Sequence, residues 1–262
     1  MISTLEIAIK AAIEGGKEIL KVYHTHFSVE VKEDASPLTL ADKKANAVIT
    51  TFLNETDFPI ISEENKQIDF SERRNWDTCW IVDPLDGTKE FVKRNGEFTV
   101  NIALVRAGKP ILGVIYVPVS KELYFSAEGV TPSKKVTLSQ DYSFSFILNH
   151  STVLKPSEYI EPIVIVGSRS HLNQETQEYI SEIEKQNTIE MVSKGSSLKF
   201  CLVAEGKAHL YPRFAPTMEW DTAAGQAICE AVGLSVIDQE TQKPLRYNKE
   251  NLLNPHFLVS AL

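Results

Sequence analysis

The nine residues from Trp80 to Thr88, W-I-V-D-P-L-D-G-T, constrain this chain more than any other stretch. Trp80, Ile81 and Val82 form an apolar run long enough for a buried strand, and Pro84 and Gly87 break it. The break predicts that the strand ends and the chain turns. Asp83 then closes the strand, and Asp86 lies three residues on, inside the turn. A tight turn can bring two such side chains to one spot and point backbone carbonyls there too. Carboxylates that close repel each other unless a cation or a proton sits between them. Oxygen-only donors suit Mg²⁺, Mn²⁺ or Ca²⁺ rather than Zn²⁺. The plain alternative is a polar turn after a core strand, each Asp capping backbone amides.

The 262 residues allow one large domain or two coupled ones, and a hydrophobic fraction of 43% supports a full core. Acidic residues outnumber basic ones, 35 to 27. That balance argues against nucleic acid as a partner, because duplex binding needs a basic footprint. Phosphates can still be bound locally where a metal and a few Lys or Arg converge. Cys79, Cys201 and Cys229 are widely spaced and form no C-x-x-C, so they read as buried thiols rather than a disulfide framework or a zinc site. No apolar run has transmembrane length, and the N-terminus lacks a signal peptide's basic start and apolar core. The expectation is a cytoplasmic protein with no integral membrane segment, compatible with peripheral contact at the cytoplasmic face of the inner membrane.

Leu5, Ile9, Ala12, Ile13, Gly16, Leu20 and Tyr23 fall on one helical face, predicting a long helix from near Ser3 or Thr4. A second helix is marked by Ala41, Ala45, Val48, Ile49, Phe52 and Leu53. Its start, Thr39-Leu40-Ala41-Asp42, matches a capping box, which gives Asp42 a structural reading. Pro59-Ile60-Ile61 is a short strand candidate running into Ser62-Glu63-Glu64. Those adjacent acids read either as a second ligand-like cluster or as a solvated turn. Phe98–Val105, Ile111–Val119 and Glu122–Ala127 are β-rich and predict a mostly antiparallel sheet. Asp141–Pro156 reads as irregular and places a soft boundary near residue 150. It separates an α+β half, 1–150, from an α/β half, 151–262. In the second half strands (Ile163–Val166, Thr188–Val192, His209–Pro212, Leu234–Ile237) alternate with helices (about Asn173–Gln186, Ser196–Glu205 and after Asp221).

Trp220-Asp221-Thr222-Ala223-Ala224-Gly225 is a third acidic element. Asp221 stands before a helical pattern, where an N-cap is one reading and a metal ligand pointing outward is the other. Gly195-Ser196-Ser197-Leu198-Lys199 joins a strand to a helix and can cradle an anion with backbone N–H groups, hydroxyls and Lys199. Gly167-Ser168-Arg169-Ser170-His171 and Tyr211-Pro212-Arg213 also sit at strand ends, where ligands of such sheets gather.

Taken in order, Glu63-Glu64, Asp83-Pro84-Leu85-Asp86-Gly87-Thr88 and Trp220-Asp221-Thr222-Ala223-Ala224-Gly225 resemble the signatures of the inositol monophosphatase superfamily, magnesium-dependent, lithium-sensitive phosphomonoesterases. Thr88-Lys89-Glu90-Phe91, the run Lys93–Ala103, Ser168–His171, Gly195–Phe200 and Leu210–Phe214 are closer to the CysQ type of 3′(2′),5′-bisphosphate nucleotidase within it. The resemblance implies an α/β fold with layers α/β/α/β/α, as in fructose-1,6-bisphosphatase-like sugar phosphatases, and a metal site at the junction of the halves. It implies two or three Mg²⁺ ions. Glu63, Asp83, the Leu85 carbonyl and Thr88 would surround one; Asp83, Asp86 and Asp221 a second; a weaker third would lie near Glu63, with Glu64 behind. Coordinated water has a lowered pKa, and Asp42 and Thr88 would orient and deprotonate it, with N–H groups around Gly87 and Thr88 holding charge. The implied partner is a small nucleotide bisphosphate, adenosine 3′,5′-bisphosphate, hydrolysed to AMP and phosphate in sulfur metabolism. Gly195, Ser196, Ser197, Lys199, Ser170, His171 and Arg213 would bind it, beside Glu63, Leu85, Asp86, Gly87, Thr88 and Asp221. An inositol or sugar monophosphatase of the same fold is the near alternative. A metal or nucleotide sensor without catalysis is the distant one.

Overall fold

The computed structural model describes residues 1–25, 30–31, 37–38, 40–139, 142–167 and 173–262. The predicted first helix is α1, Ile2–Tyr23, which buries Leu5, Ile9, Ala12, Ile13 and Tyr23 on one face. The short strands β1 (Glu30–Val31) and β2 (Pro37–Leu38) pair antiparallel. Helix α2 (Leu40–Leu53) buries Ala41, Asp42, Ala45, Ile49 and Leu53 and packs on α1. Thr39, the expected cap, lies outside the described residues.

A seven-stranded sheet follows, formed in the order β3 (Ile60–Ser62), β4 (Thr78–Asp86), β5 (Thr99–Arg106), β6 (Lys109–Val117), β7 (Glu122–Ala127), β8 (Thr131–Thr137) and β9 (Thr152–Val153). It is mostly antiparallel, as the sequence suggests; β3 and β4 pair in parallel. Short helices α3 (Phe70–Arg73) and α4 (Thr88–Val92) flank β4, and α5 (Phe144–His150) precedes β9. One strand was missed and one expectation needs correction. Thr131–Thr137 is a strand, although its T-P-S-K-K-V-T pattern buries only Ser133 and Val136. Asp141–Pro156 is not wholly irregular: Ser143 Oγ caps α5 by accepting the Phe146 N–H at 3.3 Å, and Thr152–Val153 extends the sheet.

The second sheet contains β10 (Ile163–Gly167), β11 (Ile189–Ser193), β12 (Leu210–Arg213), β13 (Ser235–Asp238) and β14 (Phe257–Ser260) in the order β11-β10-β12-β14-β13. Its first three strands are parallel, and β14 enters antiparallel between β12 and β13. The sequence reading missed β14. Helices α6 (Gln174–Glu184), α7 (Leu198–Ala204) and α8 (Glu219–Glu230) accompany this sheet.

Side-chain parity turns these elements into five layers. On β5, Val100, Ile102 and Leu104 join the core shared with α1 and α2, while Ala103 and Val105 join the core shared with α7 and α8. On β4, Trp80 and Val82 face the first core, and Cys79 and Ile81 the second. The second core also takes Phe200, Ile228, Val236 and Val259, so residues on both sides of position 150 build it. A third core lies beyond the second sheet, where Ile180 of α6 meets Ile163, Ile165 and Leu210. Helix α8 is therefore clamped between two sheets. A Cβ on Gly113 of β6 would come within 2.5 Å of the Ala224 carbonyl oxygen, so only glycine permits that approach. Cys79, Cys201 and Cys229 are buried free thiols, and burial pushes Cys79 up to about 12.

Candidate functional site

The parity that sends Cys79 and Ile81 toward α7 and α8 also sends Asp83 there, buried with 1% exposure. Asp86, an odd number of residues later, would face the opposite side of a regular strand. It does not, because the register slips. Asp83 pairs with Asn101 and Asp86 with Thr99, so three steps on β4 match two on β5. This bulge places both carboxylates on one face and accommodates Pro84. The strand thus continues to Asp86 rather than ending at Asp83. The turn comes one residue later, where Gly87 adopts φ 93°, ψ 44°.

Asp221 is corrected in the opposite sense. It does not precede α8 but is the helix's third residue, with Met218 at the cap. Its Oδ2 reaches back to accept the Met218 N–H at 2.7 Å, the acid half of a capping box. Capping and presentation coexist, since one oxygen serves each. The same division recurs at the other two aspartates. Asp83 Oδ1 accepts the Leu85 N–H at 3.0 Å, and Asp86 Oδ2 accepts the Ser197 N–H at 2.6 Å. Each carboxylate is thus pinned by one backbone amide.

Oxygens of Asp83, Asp86 and Asp221 lie within 4.8 Å of one another. Burial, then the charges of Glu63, Asp86, Asp221 and Asp42, raise the Asp83 carboxyl far above the usual range. Burial and Asp86 push Asp221 up to about 7, against the pull of the Met218 amide, Arg213 and Lys199. Glu63, just past β3, is pushed up to about 8 by desolvation and by Asp221, Asp42, Glu64 and Asp86. Its side chain is exposed by surface area, so the four neighbouring acids are the stronger cause. The set consists entirely of hard oxygen donors whose ionisation opposes itself. That chemistry fits a divalent cation such as Mg²⁺, Mn²⁺ or Ca²⁺.

The remaining sequence-predicted residues divide. Asp42, 4% exposed in the first turn of α2, acts on the same carboxylates through its charge. Glu64 does so on Glu63. Leu85 buries its side chain in the first core, and Thr88 opens α4. Ser196 and Ser197 turn their hydroxyls onto Asp86 Oδ2, at 2.7 and 2.9 Å. Gly195 donates its N–H to Glu97 Oε2 at 3.0 Å. Lys199 is buried and donates to the Ser196 carbonyl at 2.5 Å, with its charge over the Tyr211 ring. Burial draws its ammonium down to about 8, Asp86 opposing and Arg213 assisting. Arg213 ends β12, donates from Nη2 to the Pro216 carbonyl at 3.1 Å, and keeps a buried Nε with no partner among the described residues. Ser170 and His171 lie outside the described residues.

Sequence reasoning gave no individual role to Thr99, Asn101 and Glu97. Asn101 Nδ2 donates to Ser197 Oγ at 2.9 Å, and Thr99 Oγ1 lies 2.7 Å from Ser196 Oγ. Glu97 pairs with Lys194 at 3.1 Å and receives Gly195. A signal existed: Thr99 and Asn101 are polar residues two apart on one face of an otherwise apolar strand.

The sequence pattern of the inositol monophosphatase family matches residues 2–260. The 3′(2′),5′-bisphosphate nucleotidase CysQ of Salmonella typhimurium is 44% identical over 261 residues, covering 98% of this chain and 99% of that one. The enzyme of that name from Haemophilus influenzae is 36% identical, covering 95% and 89%. The crystal structure of CysQ from Bacteroides thetaiotaomicron superposes with a TM-score of 0.91 at 51% identity, covering 100% of this chain and 98% of that one. A Thermotoga maritima inositol monophosphatase shares the fold, with a TM-score of 0.76 at 23% identity over 98% and 91% of the two chains. Sequence pattern, near full-length identity and layered architecture agree, and this chain belongs to the inositol monophosphatase family.

Proposed function

We propose that this protein is a Mg²⁺-dependent 3′(2′),5′-bisphosphate nucleotidase that hydrolyses adenosine 3′,5′-bisphosphate to AMP and phosphate, a reaction of sulfur metabolism. The observation that carries the metal chemistry is the trio Asp83, Asp86 and Asp221, each pinned through one oxygen by a backbone amide. The substrate is supported by relatives 44% identical over nearly the whole chain that are named for this activity.

Glu63, Asp83, the Leu85 carbonyl, Asp86, Thr88 and Asp221 would hold two or three Mg²⁺ ions, which supply Lewis acidity, lower the pKa of water and neutralise phosphoryl charge. The chain's own groups do the rest. Asp42 and Thr88 orient the attacking water, and Asp42 takes its proton, with Glu64 maintaining the acidic surroundings. Oxygen from water bonds to phosphorus as the ester bond to the ribose 3′-oxygen breaks; the 3′-oxygen takes up a proton from solvent to leave as the AMP hydroxyl, and Asp42 returns the water proton to solvent. N–H groups at the start of α4, around Gly87 and Thr88, have no partner within that helix and face the phosphoryl oxygens. Arg213 pairs with the second phosphate, whose bidentate geometry suits a guanidinium. Lys199, its ammonium over the Tyr211 ring, adds positive charge near Asp86 and Asp221. Among the described residues no helix is long and apolar enough to cross a membrane.

Phosphate release from adenosine 3′,5′-bisphosphate, with Mg²⁺ and with EDTA, tests this for wild type beside Asp83→Asn. Expected is rapid Mg²⁺-dependent release, reduced at least about a hundredfold in the variant. Release from inositol 1-phosphate alone would keep the metal chemistry and replace the substrate. Inertness toward both, with nucleotide still bound, would make the protein a sensor.

A further inference from the structure

Asp86 Oδ2 receives more donors than any other oxygen of the acidic trio. The Ser197 N–H approaches at 2.6 Å, Ser196 Oγ at 2.7 Å, Ser197 Oγ at 2.9 Å and Asn101 Nδ2 at 3.3 Å, while Thr99 Oγ1, whose single proton has Asn101 Oδ1 at 2.9 Å, stands behind Asn101. These groups come from two distant stretches of the chain: Thr99 and Asn101 from β5, and Ser196 and Ser197 from the loop before α7. A count of protons shows how the set is wired. Asn101 is 1% exposed and Ser197 2%, so neither can turn to water. Asn101 Nδ2 donates into the Ser197 hydroxyl. The hydroxyl's single proton therefore points away, toward Asp86 Oδ2 or the Asp221 carbonyl, each 2.9 Å off. Ser197 thus spans the side chain of one aspartate and the backbone of another. The loop itself is held from behind: Glu97 accepts from the Gly195 N–H and the Lys194 ammonium, and the Lys199 ammonium donates to the Ser196 carbonyl.

We propose that Ser197 and Ser196, backed by Asn101 and Thr99, are positioning residues that fix Asp86 by one oxygen and turn the other toward a divalent cation. The 194–197 loop thereby sets cation affinity. This rests on the metal-dependent reading above and deepens it. It also gives the two serines work other than direct contact with substrate phosphate. Groups that orient a ligand carboxylate typically govern cation affinity by about 10–100-fold.

The test is Mn²⁺ binding to the full chain, followed by EPR titration without substrate. Ser197→Ala is expected to weaken binding by about 10–100-fold and Ser196→Ala by a smaller factor of about 3–10. Ser133→Ala is the control, because it deletes another buried hydroxyl, one donating to the Ile228 carbonyl far from the acidic trio. It is expected to lower Tm while leaving the Mn²⁺ Kd within about twofold of wild type. Should Ser197→Ala fail to fold, the half-buried Ser196 decides. Wild-type Mn²⁺ affinity in both folded serine variants would overturn the inference and leave the metal reading standing. An equal loss in Ser133→Ala would reduce it to a general effect of stability and also overturn it. No Mn²⁺ binding by wild type would overturn the metal reading itself.

Discussion

Arg213 carries a buried Nε without a partner among the described residues, while its Nη2 is used by the Pro216 carbonyl. An unpaired charged donor inside a protein costs about 1–3 kcal/mol or more. An anion beside it would remove that penalty, and its charge already opposes part of the rise of the Asp221 carboxyl. Arg213→Glu should therefore raise KM for adenosine 3′,5′-bisphosphate by about tenfold or more, with a much smaller change in kcat. Steady-state kinetics check this, and an unmoved KM would remove Arg213 from the substrate site. The contrast with Asp83 and Asp86 shows what single residues reveal in a sequence. Two aspartates around Pro and Gly announce an oxygen-rich turn from their spacing alone. The side-chain partners of Ser196 and Ser197 on β4 and β5 are about a hundred residues away, and no local pattern states whether a hydroxyl meets a ligand or Asp86.

At the scale of elements, the strand carrying Asp83 and Asp86 was legible but its end was not. Pro84 is a strand breaker in sequence terms, and only pairing with β5 shows the bulge that tolerates it. Strands β8 and β14 were missed for related reasons: β8 buries little, and β14 is four residues whose place is set by β12 and β13 on either side. Their hydrogen bonds, not their propensities, make them strands. Helix α8 was recognised from the helical pattern after Asp221, and the structure shows the use of its small residues. Gly113 lies under Ala224 and Ala227, with a hypothetical Cβ 2.5 Å from one backbone oxygen and 2.8 Å from the Ala227 methyl. Gly113→Ala must displace a helix held between two sheets. It should destabilise the protein by about 1–3 kcal/mol, or roughly 2–4 °C in Tm per kcal/mol for a chain of this size. Thermal unfolding measures this; a Tm within a degree of wild type would mean that α8 moves freely.

The whole molecule is arranged so that β4 of the first sheet and α8 beneath it meet over a cluster of like charges, which makes its stability depend on pH and cations together. Glu63 is raised to about 8 and Asp221 to about 7 in the folded chain, and Asp83 is raised as well. In the unfolded chain such carboxyls titrate near about 4. The folded state therefore binds more protons between those values. The stabilisation is fully present below about pH 4 and is lost as pH rises through about 7 to 8. Without divalent cation, the cluster's contribution must fall across that window. A cation reverses the sign of the problem by replacing protons with fixed positive charge, and it competes with them at low pH. At about 100 times its Kd a cation contributes about 2.7 kcal/mol, or about 5–10 °C in Tm for a chain of this size. The gain in Tm from Mg²⁺ over EDTA should thus be small at pH 5 and approach that size at pH 8.5. Using the difference between the two conditions removes every other titrating group from the comparison. Scanning calorimetry at both pH values decides it. An equal gain at both, or a larger one at pH 5, would show that the carboxylates at the junction do not exchange protons for metal.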